Sequence, residues 1–185
     1  MNSVKTILVV GASSEIGFRV SEKLASKGYD LILTYNKSEE KIKKYKEKIL
    51  SKLKINIVLV KLNLLSENYT VIKDALEKIN DESLIGMVYC AGYSPPRKSI
   101  FDTKLREVKD VFMVNAIAAY EISAIVANKI KLNTSFKTGS IVLISSQIVD
   151  YGSKGISAYI SSKGALNALG KSLAKELGYL KIRVN

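Results

Sequence analysis

The chain alternates short runs rich in Val and Ile with longer segments whose apolar residues recur at helical spacing, and this alternation restricts it to one fold class. The extended runs are residues 6–10, 30–35, 56–61, 84–90 and 140–145, with another opening at Ile182. The helix-period segments are residues 16–27, 38–53, 66–80, a pair within 102–132, and 157–177. Strand–helix–strand repetition with strands rich in Val and Ile predicts a parallel sheet covered by helices on both faces. Right-handed crossovers then give the doubly wound α/β arrangement (a Rossmann fold of three αβα layers) with strand order 3-2-1-4-5-6.

Ligands in such sheets bind beyond the carboxyl ends of the strands, where the order reverses, so the loops after strands one, four and five are expected to carry the function. The length of 185 residues, with 47% hydrophobic and 25% charged residues, fits one domain over 1–185. The chain closes while opening an extended segment, residues 181–185. The expectation is a sheet that continues past this point, with its edge needing cover.

Composition narrows the chemistry. The sequence contains no histidine, which removes Ser-His-Asp and Cys-His catalysis and most zinc sites; no metal centre is expected. The single cysteine, Cys90, has no internal disulfide partner, which suits a reducing cytoplasm. No apolar run approaches the roughly 20 residues of a membrane helix. Residues 1–10 lead straight into Gly11 without a cleavage site, so neither membrane nor secretion is expected. Basic residues outnumber acidic ones, 29 against 17. They fill polar helix faces: in residues 41–54, Ile42, Tyr45, Ile49 and Leu53 keep an apolar stripe while lysines occupy the rest. That pattern is a solvated helix, and no nucleic-acid partner is expected.

Three stretches carry candidate chemistry. Strand one ends in Gly11-Ala-Ser-Ser-Glu-Ile-Gly17. Gly11 permits a tight turn and close approach of backbone to a pyrophosphate, while the helix start offers free N–H groups; Gly11, Ser13, Ser14, Ile16 and Gly17 are the candidates. Glu15 competes with an anion unless it points to solvent, the orientation expected here. Strand two ends in Thr34-Tyr35-Asn36-Lys37-Ser38, with no acid for a ribose diol before Glu39. Asn36, Lys37 and Ser38 suit a 2′-phosphate, so NADP(H) is preferred over NAD(H); Ser38 equally suits a helix cap.

Tyr159 and Lys163 lie four apart on one helix face, with Ser146 before them at the end of strand five. A phenol beside a fixed ammonium is pushed toward its ionised form, and a phenol so tuned can exchange a proton with a carbonyl or alcohol oxygen. The same spacing at Tyr69 and Lys73 is read as a packed tyrosine and a surface lysine. Asn115 is open to a capping role, and Cys90 is expected to be buried as a small hydrophobe.

With these residues the chain resembles the short-chain dehydrogenase/reductase family along its whole length. The glycine loop matches except that Glu15 replaces a glycine. Cys90-Ala91-Gly92 matches the motif after strand four, with Cys where Asn is usual. Asn63, followed by Leu64, takes the place of an Asp used near the adenine, its side-chain carbonyl still able to accept. Asn115, Ser146, Tyr159 and Lys163 match the catalytic four.

The resemblance implies that Tyr159 is the general acid/base. It implies that Lys163 lowers the phenol's pKa and holds the nicotinamide ribose, and that Ser146 bonds the substrate carbonyl. Asn115 would kink its helix and support a proton-conducting water. Gly92 and Ala91 join the cofactor site. Family members continue past the sixth strand into substrate-covering segments, so the usual C-terminal strand and substrate segment are expected to be lacking here.

The implied function is an NADP(H)-dependent oxidoreductase interconverting a ketone and a secondary alcohol. Carrier-bound 3-oxoacyl groups are one candidate substrate, because Arg97 and Lys98 near the rim suit an acidic carrier. The alternative is a nucleotide-binding protein without turnover. Small and apolar residues on several faces of 115–132 and 157–177 predict a two-fold homo-oligomer.

Overall fold

A computed structural model describes residues 5–81, 83–133 and 138–185; the first four residues of the N-terminal segment lie outside that range. Six parallel strands form one sheet: β1 (Thr6–Val10), β2 (Asp30–Tyr35), β3 (Ile57–Lys61), β4 (Leu84–Tyr89), β5 (Gly139–Leu143) and β6 (Ile182–Val184). Their order is β3-β2-β1-β4-β5-β6, as the alternation predicts.

Side chains of β1 leave alternately to the two faces. Leu8 and Val10 enter one core with Ile32, Met87, Ile122 and Leu166, whereas Ile7 and Val9 enter the other with Leu31, Leu33, Phe18 and Ile42. Helices α1 (Glu15–Ala25) and α2 (Glu39–Leu50) cover the second face. The first is covered by α3 (Thr70–Glu77), by α5 (Ala118–Lys131), which continues α4 (Leu105–Phe112), and by α7 (Ser157–Leu177). One short helix not foreseen, α6 (Ile148–Tyr151), follows β5.

Two departures from expectation have local causes. The third helix begins at Thr70 rather than Ser66 because polar side chains hold the preceding loop out of helix. Asn63 Oδ1 accepts from Leu65 N (3.1 Å), Ser66 Oγ from Asn68 N (3.2 Å) and Asn68 Oδ1 from Thr70 N (2.9 Å). The view that no segment approaches membrane length also needs correction. Helical residues Leu105–Lys131 run unbroken for 27 residues, apolar and long enough to cross a bilayer. About half of their most apolar window is buried inside the domain, and Ala118, Ala119, Ile122 and Val126 pack on the sheet. The stretch is apolar because it is the core helix.

Candidate functional site

A cavity of about 600 Å³ opens at the carboxyl ends of the strands, where β1 and β4 diverge to opposite sides of the sheet. It is bounded by the loops after β1, β2, β3 and β4. Gly11 closes β1 with φ +80°, and a Cβ there would lie 2.8 Å from both N and Cα of Ala91. The loops after β1 and β4 therefore touch backbone to backbone, which only glycine permits.

Gly11 N–H donates to Thr34 Oγ1 (3.0 Å), and Ala12 N–H to the Thr34 carbonyl (2.9 Å). Ser14 caps α1: its Oγ accepts from Gly17 N (3.0 Å) and donates to the Gly11 carbonyl (2.8 Å). Gly17 sits so close beneath the turn that a Cβ would be 2.4 Å from the Gly11 carbonyl oxygen. Glu15 is exposed and does not line the cavity, as expected.

Of the nucleotide-site candidates, Gly11, Ser13, Ser14, Asn36, Lys37, Asn63, Leu64, Cys90, Ala91 and Gly92 line the cavity. Gly17 supports the turn from below, and Ile16 is exposed outside the lining. Ser38 is also outside it, at the N-cap position of α2, where its side chain makes no capping hydrogen bond. The Asn63 side-chain carbonyl accepts from Leu65 N–H and so also shapes the loop, with a second lone pair on the oxygen still able to accept.

Thr34, Tyr35, Leu62, Leu65, Tyr93, Asp110 and Val114 complete the lining and were not singled out from sequence. Thr34 had the one sequence signal, a hydroxyl at the end of an apolar strand two residues before the Asn36–Ser38 run, although its partner in the glycine loop had none.

Beyond Gly92 lies the second constellation. Lys163 is buried, 3% exposed, and its Nζ donates to the Ile144 carbonyl (2.7 Å). Its Nζ stands 3.5 Å from where a Gly92 Cβ would be, an ordinary contact distance, so the ammonium packs directly beside Gly92. Burial holds its pKa below the ordinary lysine value, with Cys90 nearby pulling the other way. Tyr159, half-buried, is one turn earlier on the same helix, and Ser146, also half-buried, follows β5.

Asn115 is fully buried inside a helix, not at its end. The expected distortion is a π turn, Met113–Ile117, in which Ala118 N–H reaches back to the Met113 carbonyl. There the amide is fully used: Oδ1 accepts from Tyr93 N (2.7 Å), and Nδ2 donates to the Tyr93 carbonyl (2.9 Å) and to Ser162 Oγ (2.9 Å). Ser162 Oγ in turn donates to the Tyr159 carbonyl (2.7 Å). One buried amide thus ties the loop after β4 to the helix that carries Tyr159 and Lys163.

The loops flanking Tyr159 are stitched together. Arg97 Nη1 donates to Ser153 Oγ (2.8 Å) and the Lys154 carbonyl (2.6 Å), and Lys98 N to the Gly155 carbonyl (2.9 Å). The Lys98 ammonium pairs with Glu107. Both rim cations suggested for an acidic carrier therefore already have partners within the chain.

Cys90 is buried, as expected. Burial pushes its thiol up to about 11 from 9.0, the Lys163 charge opposing. At pH 8 about one part in a thousand is thiolate. Iodoacetamide should therefore alkylate the folded chain at least tenfold more slowly than the urea-unfolded chain, as mass spectrometry can follow; equal rates would contradict the burial. Because the folded thiol titrates above the unfolded one, its stabilising contribution is complete below about pH 9 and is lost as pH rises through 11.

The sequence profile of the short chain dehydrogenase family matches residues 5–185. The 3-oxoacyl-[acyl-carrier-protein] reductase FabG of Aquifex aeolicus is 32% identical over 183 residues, covering 98% of this chain and 71% of that protein. The uncharacterized oxidoreductase YmfI of Bacillus subtilis is 28% identical, covering 98% and 72%. Among solved structures, acetoin dehydrogenase from Enterobacter cloacae superposes with a TM-score of 0.92 at 24% identity, over 100% of this chain and 72% of that one. A short-chain dehydrogenase from Sphingobium yanoikuyae in complex with NADPH gives 0.87 at 21%, over 98% and 69%.

Fold and site together define an oxidoreductase of the nicotinamide-dependent class. The chain belongs to the short-chain dehydrogenase/reductase family.

Proposed function

We propose that this chain is an NADP(H)-dependent oxidoreductase that interconverts a ketone and a secondary alcohol, with Tyr159 as proton donor and acceptor. The observation that carries the reading is the buried tie from Tyr93 through Asn115 and Ser162 to Tyr159, beside the buried Lys163. Burying an ammonium and an amide costs several kcal/mol unless they are bonded, and here both are bonded, the ammonium to the Ile144 carbonyl and the amide through Ser162 to the backbone carbonyl of Tyr159.

The cavity fits a dinucleotide. Its volume lies in the range of cofactor sites, about 300–1,000 Å³, and Gly11 and Gly17 let the backbone close on a pyrophosphate without a Cβ in the way. Ser13 and Ser14 would hold phosphate oxygens, Asn36 and Lys37 the 2′-phosphate, and Leu64 and Val114 the adenine faces. When bound, the reduced nicotinamide supplies a hydride to the carbonyl carbon. Ser146 would orient the carbonyl oxygen, Tyr159 would deliver its hydroxyl proton to that oxygen, and Lys163 would favour the phenolate left behind.

The Aquifex aeolicus relative supports a 3-oxoacyl substrate, free or carrier-bound. The lone buried thiol suits a cytoplasmic setting. Exposed Ile117 and Tyr120 on the α5 side suit a homo-oligomer. Glu15 in the place of a loop glycine favours a second reading, nucleotide binding without turnover.

Titration of NADPH fluorescence with the chain, followed by a ketone panel, separates the two. Binding with oxidation supports the first, and binding without oxidation supports the second. Lys37→Ala should weaken NADPH about tenfold and NADH less than twofold, the loss of one charge-assisted phosphate contact. Equal weakening of both would remove the 2′-phosphate assignment.

A further inference from the structure

Tyr89, the last residue of β4, points its ring into the core beneath the π turn and is fully buried. Its hydroxyl donates to the Val114 carbonyl at 2.6 Å, one residue before Asn115. Tyr69 reaches the same turn from the side, its hydroxyl 3.9 Å from the Met113 sulfur. A π turn spaces backbone bonds one residue wider than an α-helix and persists where surrounding contacts hold it. At this turn the wider spacing is visible in Ala118 N–H reaching Met113. The insertion sets the azimuth of Asn115, whose amide must meet Tyr93 on one side and Ser162 on the other.

We infer that Tyr89 is a positioning residue for the reaction centre, its hydroxyl fixing the π turn and thereby the orientation of Asn115 and of the helix bearing Tyr159 and Lys163. The inference rests on the oxidoreductase reading for its catalytic part only. Tyr89 does not itself line the cavity and hydrogen-bonds none of the candidate reacting groups; it acts through the carbonyl of Val114, a lining residue. Burial pushes its phenol far above the ordinary tyrosine range, so the hydroxyl remains a donor at any working pH. The carbonyl it serves is inside the protein, where a lost partner is not replaced by water.

The test is Tyr89→Phe, which removes one oxygen and keeps the ring. In the variant, backbone amides of residues 113–119 and 157–163 should exchange with deuterium about tenfold faster, while those of β1 and α1 are unchanged. Exchange unchanged at the π turn and at the start of α7 overturns the inference, whatever the activity.

With turnover present in the wild type, kcat should fall about five- to tenfold, the effect of one buried hydrogen bond. The Kd for NADPH and the KM for the ketone should stay within twofold. A shift in affinity with kcat unchanged overturns the positioning role. The loss should also vanish in a Ser162→Ala background, because that variant already cuts the link to Tyr159; full additivity overturns the proposed route. A wild type without turnover defeats the oxidoreductase reading and leaves the exchange measurement to decide the brace alone. Should the variant fail to fold, the hydroxyl proton of Tyr89 in the unmodified chain decides: slow exchange with water, seen by NMR, supports the bond, and rapid exchange overturns it.

Discussion

Replacing Tyr159 with phenylalanine will reduce ketone turnover by about two to four orders of magnitude, the usual share of a positioned proton donor, while NADPH affinity changes by less than about twofold. The separation follows from placement. Tyr159 is outside the lining of the large cavity, which is built from the loops after β1, β2, β3 and β4. Its ring is half-buried on the first turn of α7, and the helix there is tied by the Ser162 hydroxyl donating to the Tyr159 carbonyl and not by the phenol oxygen. Losing that oxygen therefore leaves the helix in place and removes only the exchangeable proton. Stopped-flow or steady-state NADPH oxidation measures the first quantity, and quenching of NADPH fluorescence the second. Turnover surviving near the wild-type rate would sink the phenol mechanism; a matched loss of affinity would make Tyr159 a binding group.

Gly17→Ala should be the most damaging single methyl in the nucleotide site. The added carbon would stand 2.4 Å from the Gly11 carbonyl oxygen and 2.8 Å from Ala12 Cα, both backbone atoms with nowhere to rotate. The turn can yield only by lifting Gly11, which is itself wedged at φ +80° against Ala91. Relief must propagate into the bonds that Gly11 and Ala12 make to Thr34. Overpacking of this kind costs about 1–3 kcal/mol of stability, readable as a shift in the urea midpoint. NADPH affinity should fall more than tenfold, because the N–H groups facing the phosphates move with the loop. A variant of unchanged stability and affinity would show that the turn is looser than its contacts indicate.

The layout of the sheet was legible because both faces are covered. Runs such as residues 7–10 and 31–33 are apolar at every position, and glycines stand at the turns. The candidate centre was legible through the spacing of Tyr159 and Lys163 taken with its place after strand five and Ser146. Tyr69 and Lys73 show why spacing needs context: there the ring is buried and the lysine is at the surface.

What stayed hidden depends on contacts between segments far apart in the chain. Nothing near residue 34 in the sequence announces that its hydroxyl holds residue 11, 23 positions earlier. Nothing local to Asn115 announces Ser162, 47 positions later. The bond from Leu65 N–H to the Asn63 side-chain carbonyl was hidden for the opposite reason: it spans only two residues, and motif matching does not report it.

The Thr34 anchor has a practical consequence for changing cofactor preference. The residue that suspends the glycine loop from β2 is only two and three positions from Asn36 and Lys37, which face the same cavity. On the proposed placement of the cofactor, grip on the diphosphate and discrimination at the ribose would be mechanically one lever. Redesign at 36 and 37 that twists the strand end will drag the loop with it, so Thr34 should be kept fixed and the two selectivity positions exchanged together.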